Sequence, residues 1–491
     1  MKLLGEEKKV RSHYSNNGKL GNLGRKALNN RTIDKYVNKI GQFWLKDNRE
    51  MSFPAQIVFV DSNYYLVGSM IKRGLIKEID SQQKKSLKLT FYGLVDGEHF
   101  SFFFCCLNQS SSNVQVDSEN FEPNFSATLS IVDILVGATF ITYETKVSAA
   151  LVQFEKLEEF VRERICEFDP QKGLIFKQIR QLKYDTKEYN LEFIPGLSYT
   201  STLQKEEFNL CVSSRFIFPE VLSIETARTH IAHFRMLISM LKMHHIDICD
   251  IELYIKWSDN STKDFQPENI FYYYLNHMPQ GITEPWPVPM FCLSFDDISS
   301  DFGKILDNWF VFQRDAEPIV EMFYQILINR SHDINLLLNL VQAMETFSNR
   351  FRKEEVKQVL LDHPRTPPIC SYSERQCQNP SSLTATTWHK IHDLFNHANL
   401  CFNFEKADIE KITSWIVDTR NYYTHYGRKT KSILVQYEER GPINRLMQYL
   451  LTILIYNKLG INMDLIAEKF YHPFYNSTLQ QVKNMLSSML E

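Results

Sequence analysis

The 491-residue sequence has no dominant charge: Lys+Arg 55 stand against Asp+Glu 58, a net charge of −3. Coating nucleic acid or a membrane surface by bulk charge is therefore excluded, and an anionic substrate has to be met by a local patch. A cysteine framework is also missing. The nine cysteines, at 105, 106, 166, 211, 249, 292, 370, 377 and 401, are odd in number and lack scaffold spacing, so they read as reduced cytoplasmic thiols. There is no long apolar run either. The greasiest stretch, 446–461, is interrupted by Gln448, Asn457 and Lys458, and the opening MKLLGEEKKVRSHYSNNGKLGNLGRK is basic and polar, so neither a signal peptide nor a membrane span is expected. P-loop, dinucleotide fingerprint, zincin helix and nucleophile elbow are all absent, which leaves the common enzyme classes without support.

What is present is ordinary for a folded chain, with 44% hydrophobic and 23% charged residues. Residues 1–35 combine glycine, asparagine and basic residues without periodicity and are expected to form a flexible basic tail. From Phe43 the text consists of short runs rich in Phe, Tyr, Val and Ile between turn signals, among them Asp96-Gly97, the signature of a tight hairpin. One helix interrupts this grammar near 224–243, where Ala227, Ile231, Phe234, Ile238 and Leu241 recur at helical spacing. Beyond the proline-rich MPQGITEPWPVP the periodicity becomes helical for good. Leu336, Leu337, Leu340, Val341, Met344 and Phe347 make one stripe, and Ile409, Ile412, Ile416 and Thr419 another. A third helix is marked by Gly441-Pro442 at its first turn and Gly460 at its end. The expected class is α+β: a β-rich domain over 36–300, with antiparallel sheets arranged sandwich-like or as an open barrel, followed by an all-α bundle over 301–491.

The stripe on the second helix ends in polar and aromatic residues: Val417, Asp418, Thr419, Arg420, Asn421, Tyr422, Tyr423, Thr424, His425, Tyr426 and Gly427. Arginine offers a permanent, bidentate match to a phosphodiester, and histidine can move a proton, so the pair suits attack of a ribose 2′-OH on its neighbouring phosphate without a metal. Gly427 is a plausible helix terminator, which places His425 in the last turn, where the macrodipole favours an imidazolium. Arg428, Lys429 and Lys431 follow as a basic cluster suited to an RNA backbone. Arg420 and His425 lie five residues apart, roughly 140° around a helix, so a single chain is expected to cluster them poorly. Two copies meeting across a two-fold axis would bring them together, which predicts a homodimer or higher homo-oligomer.

The pattern Arg420-Asn421-Tyr422-Tyr423-Thr424-His425 in a C-terminal helical bundle resembles the RNxxxH motif of the HEPN ribonuclease superfamily. The flanking WIVDTRNYYTHYG, NLLLNLVQAMETF and FCLSFDDISSDFGKILDNWF narrow the resemblance to the ApeA-like HEPN proteins of bacterial anti-phage defence. Phe43-Trp44, LVGATF, VQFEKLEEFV and FRMLISML are similar to the N-terminal domain of the same family, so the resemblance runs through nearly the whole chain. It implies a metal-independent endoribonuclease that cuts RNA, with transfer RNA as the expected substrate, to leave a 2′,3′-cyclic phosphate and a 5′-OH. Arg420 would hold the scissile phosphate, His425 would act as general acid or base, and Asn421 would be their polar neighbour. Glu345 resembles an acidic position of these bundles and, with Tyr426, is a candidate supporting residue. The β-rich half is expected to restrain the site until a phage-derived activator arrives.

Two other readings compete. In the first, the chain is a non-catalytic HEPN scaffold or sensor that binds nucleotides or RNA through the same residues. In the second, Cys370, Cys377, His389 and His392, with His397 and Cys401 nearby, hold a zinc ion, although C-x6-C and H-x2-H are not a familiar ligand framework. The expectation is that no cofactor is needed for RNA cutting.

Overall fold

The computed structural model describes residues 32–60, 63–84, 89–113, 124–161, 166–169, 173–176, 182–202, 205–255, 270–275, 293–328, 334–363, 385–425, 429, 432–470 and 473–488. It divides into two compact units, Met1–Arg235 with Ile246–Thr283, and Met236–His245 with Glu284–Glu491. The division at 283/284 lies ahead of the expected junction at 300/301.

In the first unit, the 3-10 turn Thr32–Tyr36 buries Ile33 and Tyr36, so packed chain begins within the stretch expected to be tail; residues 1–31 lie outside the described residues. Then come β1 (Ile40–Leu45), β2 (Phe53–Val60), β3 (Asn63–Ile71), α1 (Arg73–Lys84), β4 (Leu89–Val95), β5 (Glu98–Asn113), β6 (Asn124–Ser130), β7 (Asp133–Gly137), β8 (Lys146–Phe154) and α2 (Leu157–Val161). The unit continues with β9 (Cys166–Asp169), β10 (Gly173–Phe176), β11 (Leu182–Asp185), β12 (Asn190–Thr202), β13 (Lys205–Ser223), α3 (Ile224–Lys242), β14 (Ile248–Tyr254) and β15 (Ile270–Leu275). The strand pairings are antiparallel, as the hairpin grammar requires.

Of the two expected arrangements the barrel is the one formed. Thirteen strands make one sheet in the order β11-β12-β13-β8-β14-β15-β7-β5-β4-β1-β2-β3-β6, β9 and β10 pair separately, and the additional β5–β6 pairing closes the last six strands of the large sheet into a barrel. The closure is built into β5. Its first half pairs with β4 and β7 and its second half with β6, and between them Phe104, at φ 56°, is skipped in the register that sets Leu89 against Cys105 and Thr90 against Phe103. That bulge bends the strand where it changes partners. Phe43, Phe53, Phe91, Phe100 and Phe102 fill the interior, joined by Leu75 and Ile79 of α1. Gly93 lies under Phe43, and a Cβ there would stand 2.1 Å from the ring. Asp96 and Gly97 turn the β4–β5 hairpin at φ 53° and 86°, as expected.

Phe234 of α3 packs against Phe154, Phe193 and Phe216 of the first unit. In the second unit, the carbonyls of Met240 and Leu241 accept from the Tyr456 hydroxyl at 2.8 and 3.1 Å. That unit continues with α4 (Phe295–Ile298), α5 (Phe302–Ile328), α6 (Ile334–Phe351), α7 (Lys353–Asp362), α8 (Thr387–Phe402), α9 (Lys406–His425), α10 (Tyr437–Lys458), α11 (Met463–Phe470) and α12 (Pro473–Ser488). The stripes read on α6 and α9 are buried as expected. Helix α10 differs at its start: it begins at Tyr437 under a Gln436/Glu439 capping box, so Pro442 lies inside it, while Gly460 ends it at φ 90°.

Candidate active site

Helix α9 is fixed before it reaches the solvent. The buried Thr419 hydroxyl donates to the Trp415 carbonyl at 2.6 Å and accepts from the Leu434 N–H at 3.0 Å, so the chain returning from the helix is stitched back to it. Ser432 donates to the neighbouring Asp418. One turn earlier on α9 the Trp388 indole of α8 donates to Ser414 at 3.3 Å. The last turn beyond these ties carries the polar residues, with Asn421, Thr424 and His425 exposed.

Arg420 is the hub. Its Nη1 lies 3.0 Å from Asn421 Oδ1 and 3.4 Å from His425 Nε2, and its Nη2 is 3.8 Å from Glu345 Oε2 on α6. Glu345 also accepts from the hydroxyl of Thr387, the first residue of α8. Glu345 therefore links the Arg420 guanidinium of α9 to α6 and α8, and the Arg420 side chain keeps 26% of its exposure against 21% for Glu345. The expectation that one chain clusters these groups poorly is corrected: a five-residue step rises only about 7.5 Å, which the long arginine stem spans despite the angular offset. Since arginine has only donors, a hydrogen bond at this contact engages the Nε2 lone pair of His425.

Lys429 is exposed, whereas Tyr426, Arg428 and Lys431 lie outside the described residues. Two neighbours escaped the sequence reading. Thr387 is one, and Arg440 of α10 is the other, its guanidinium 6.0 Å from the Tyr423 ring, which in turn meets Tyr422 edge-on at 5.0 Å.

The expected zinc ligands fare differently. His389 is buried with both ring nitrogens engaged: Nδ1 accepts from the Thr386 N–H at 3.1 Å, and Nε2 then donates to the His363 carbonyl at 2.9 Å. It caps α8 and is not oriented as a ligand. Cys370 and Cys377 lie outside the described residues. Cys401 is buried, which pushes its thiol up to about 12, and His397 bonds Asn457 at 3.3 Å.

Residues 338–465 match the family described as Apea-like HEPN, and residues 38–309, more than half of the chain, match ApeA N-terminal domain 1. The chain belongs to the ApeA-like HEPN family. No curated protein and no solved structure matches it. The family is one of HEPN-type defence nucleases, and HEPN domains commonly bind RNA and dimerise. The HEPN match contains Glu345, Thr387, Arg420, Asn421, His425 and Arg440, so the whole cluster falls within it. Among the described residues no helix is long and apolar enough to cross a membrane.

Proposed function

We propose that this HEPN protein is a metal-independent endoribonuclease of anti-phage defence, active in the cytoplasm as a homodimer or higher assembly, with transfer RNA as its substrate. The reading is carried by Arg420, held at once by Glu345, Asn421 and His425 at an exposed helix end. In the reaction the ribose 2′-oxygen bonds to the adjacent phosphorus, and the bond from phosphorus to the 5′-oxygen breaks. The 2′-OH proton leaves to His425 and the 5′-oxygen takes one from water, giving a 2′,3′-cyclic phosphate and a 5′-OH. The His425 imidazole takes the first proton once the Arg420 fork turns from it to the phosphate, where the fork stabilises charge developing on the phosphoryl oxygens. Glu345 holds that fork in place from a neighbouring helix, and Asn421 fixes its edge. Pairing of two such helix ends across a two-fold axis widens the cationic surface to the span of an RNA strand, to which Arg428, Lys429 and Lys431 contribute. The β-rich unit restrains the site until a phage-derived activator reaches it.

Arg420→Ala and His425→Ala test the reading, because both residues sit on the solvent side of α9. Each is expected to abolish cutting of cellular RNA while leaving the melting temperature and the mass in solution unchanged. If the variants cut like the parent, or lose assembly instead of activity, the non-catalytic scaffold is the right description.

A further inference from the structure

A second side-chain cluster lies in the helical unit, away from Arg420. His363 closes α7, His392 lies in the middle of α8, and Glu410 is in the first half of α9; one ligand atom from each falls within 4.8 Å of the other two. Glu410 and Arg420 are ten residues apart on one helix, about 15 Å along its axis, so this is not part of the RNA-binding cluster. We propose that His363, His392 and Glu410 form a binding site for a divalent transition-metal ion, zinc above all, that ties α7, α8 and α9 together.

Two imidazoles and one carboxylate are a zinc donor set, with bonds of about 2.0–2.2 Å and hence donor atoms about 3.4 Å apart in a tetrahedron. Closing the observed triangle to that size takes a shift of about 1 Å at the ends of the side chains, which rotation of His363 and Glu410, both half-buried, can supply. His392 is the anchor. It is 2% exposed, the Trp388 ring stacks on it at 4.5 Å and 18°, and its Nδ1 lies 3.0 Å from the Asn396 amide. With that amide turned to offer its oxygen, Nδ1–H donates to Asn396 and the Nε2 lone pair is presented to the metal, the usual way in which an outer partner orients a ligating imidazole. The backbone that carries Glu410 is fixed, since the Ser414 hydroxyl donates to the Glu410 main-chain carbonyl at 2.9 Å while accepting from Trp388. Nearby positive charge is neutralised: the Arg352 guanidinium is bound by Asp393, at 2.6 and 3.0 Å. A fourth position remains for water. Magnesium, which demands oxygen ligands in an octahedron, does not suit the set. The ion would bridge the three helices, and the proposal stands or falls independently of the RNA-cutting proposal.

The test uses the full chain, stripped with chelator and desalted, then titrated with zinc chloride or magnesium chloride by calorimetry and thermal melting. One zinc per chain is expected at micromolar affinity or better, together with a rise in melting temperature that magnesium does not produce. His363→Asn and Glu410→Gln, neither fully buried, should each weaken zinc binding about tenfold or more and shrink the thermal shift. The metal-free variants should melt like the metal-free parent, which separates ligand loss from misfolding. Failure to bind zinc, an equal response to magnesium, or unchanged zinc affinity in both variants overturns the proposal.

Discussion

Arg420 shows how much of a candidate site is written in neighbouring letters and how much is not. The succession of arginine, asparagine and histidine was legible because the residues share one helix end, but the angular argument misplaced their meeting by treating side chains as points. The 3.4 Å approach to His425 depends on the length of the guanidinium's stem. Thr387 and Arg440 were not legible, since they reach the site only through the packing of α8 and α10. If the fork geometry matters, Arg420→Lys keeps the charge but loses the planar donor pair, and the cleavage rate should fall about 100-fold. Glu345→Gln removes the anion that holds the fork, and a smaller loss, roughly tenfold, is expected in single-turnover cleavage. Equal activity of Arg420→Lys and parent would mean that charge alone suffices.

At the scale of elements, period and punctuation carried the reading well where a local rule decides. The α6 and α9 stripes, the Asp96-Gly97 hairpin and the left-handed Gly460 all follow from spacing or backbone freedom. The choice of barrel over sandwich, and the place of its closure, did not follow, because they depend on β5 exchanging one partner for another, and strand partners have no signature in the strand itself. The start of α10 was also missed: Pro442 marks a first turn only when nothing upstream caps the helix, and Gln436 with Glu439 does so. Two substitutions test these joints. Gly93→Ala drives a methyl group into Phe43 and should lower the melting temperature of the barrel or prevent its folding. Thr419→Val keeps the shape but strands the Leu434 N–H, at a cost of about 1–3 kcal/mol in denaturant unfolding.

For the whole molecule, the two units were legible as a change of hydrophobic period, but the ownership of Met236–His245 was not, because α3 reads as one uninterrupted stripe. A fragment beginning at residue 301 lacks the carbonyls of Met240 and Leu241 that Tyr456 bonds, and its melting temperature should lie below that of the helical unit in the full chain. The first unit carries an acid sensitivity of its own. Burial, aided by the charge of His230, depresses His233 to about 4, and burial lowers His230 as well. A base depressed in the folded state is protonated more readily when unfolded, so stability is complete above about 6.5 and declines as the pH falls towards 4. Melting followed across that range should show this decline, and His233→Gln should flatten it; an unchanged pH profile would contradict the assignment.

The claim that an arginine and a histidine on α9 break RNA without a metal is tested most directly by mapping fragment ends. Purified protein is incubated with total cellular RNA in excess EDTA, beside His425→Ala. The account predicts discrete fragments carrying 2′,3′-cyclic phosphates and 5′-hydroxyls from the parent and none from the variant. Cleavage that vanishes with EDTA while the melting temperature is kept, leaves 5′-phosphates, or persists in His425→Ala would contradict it.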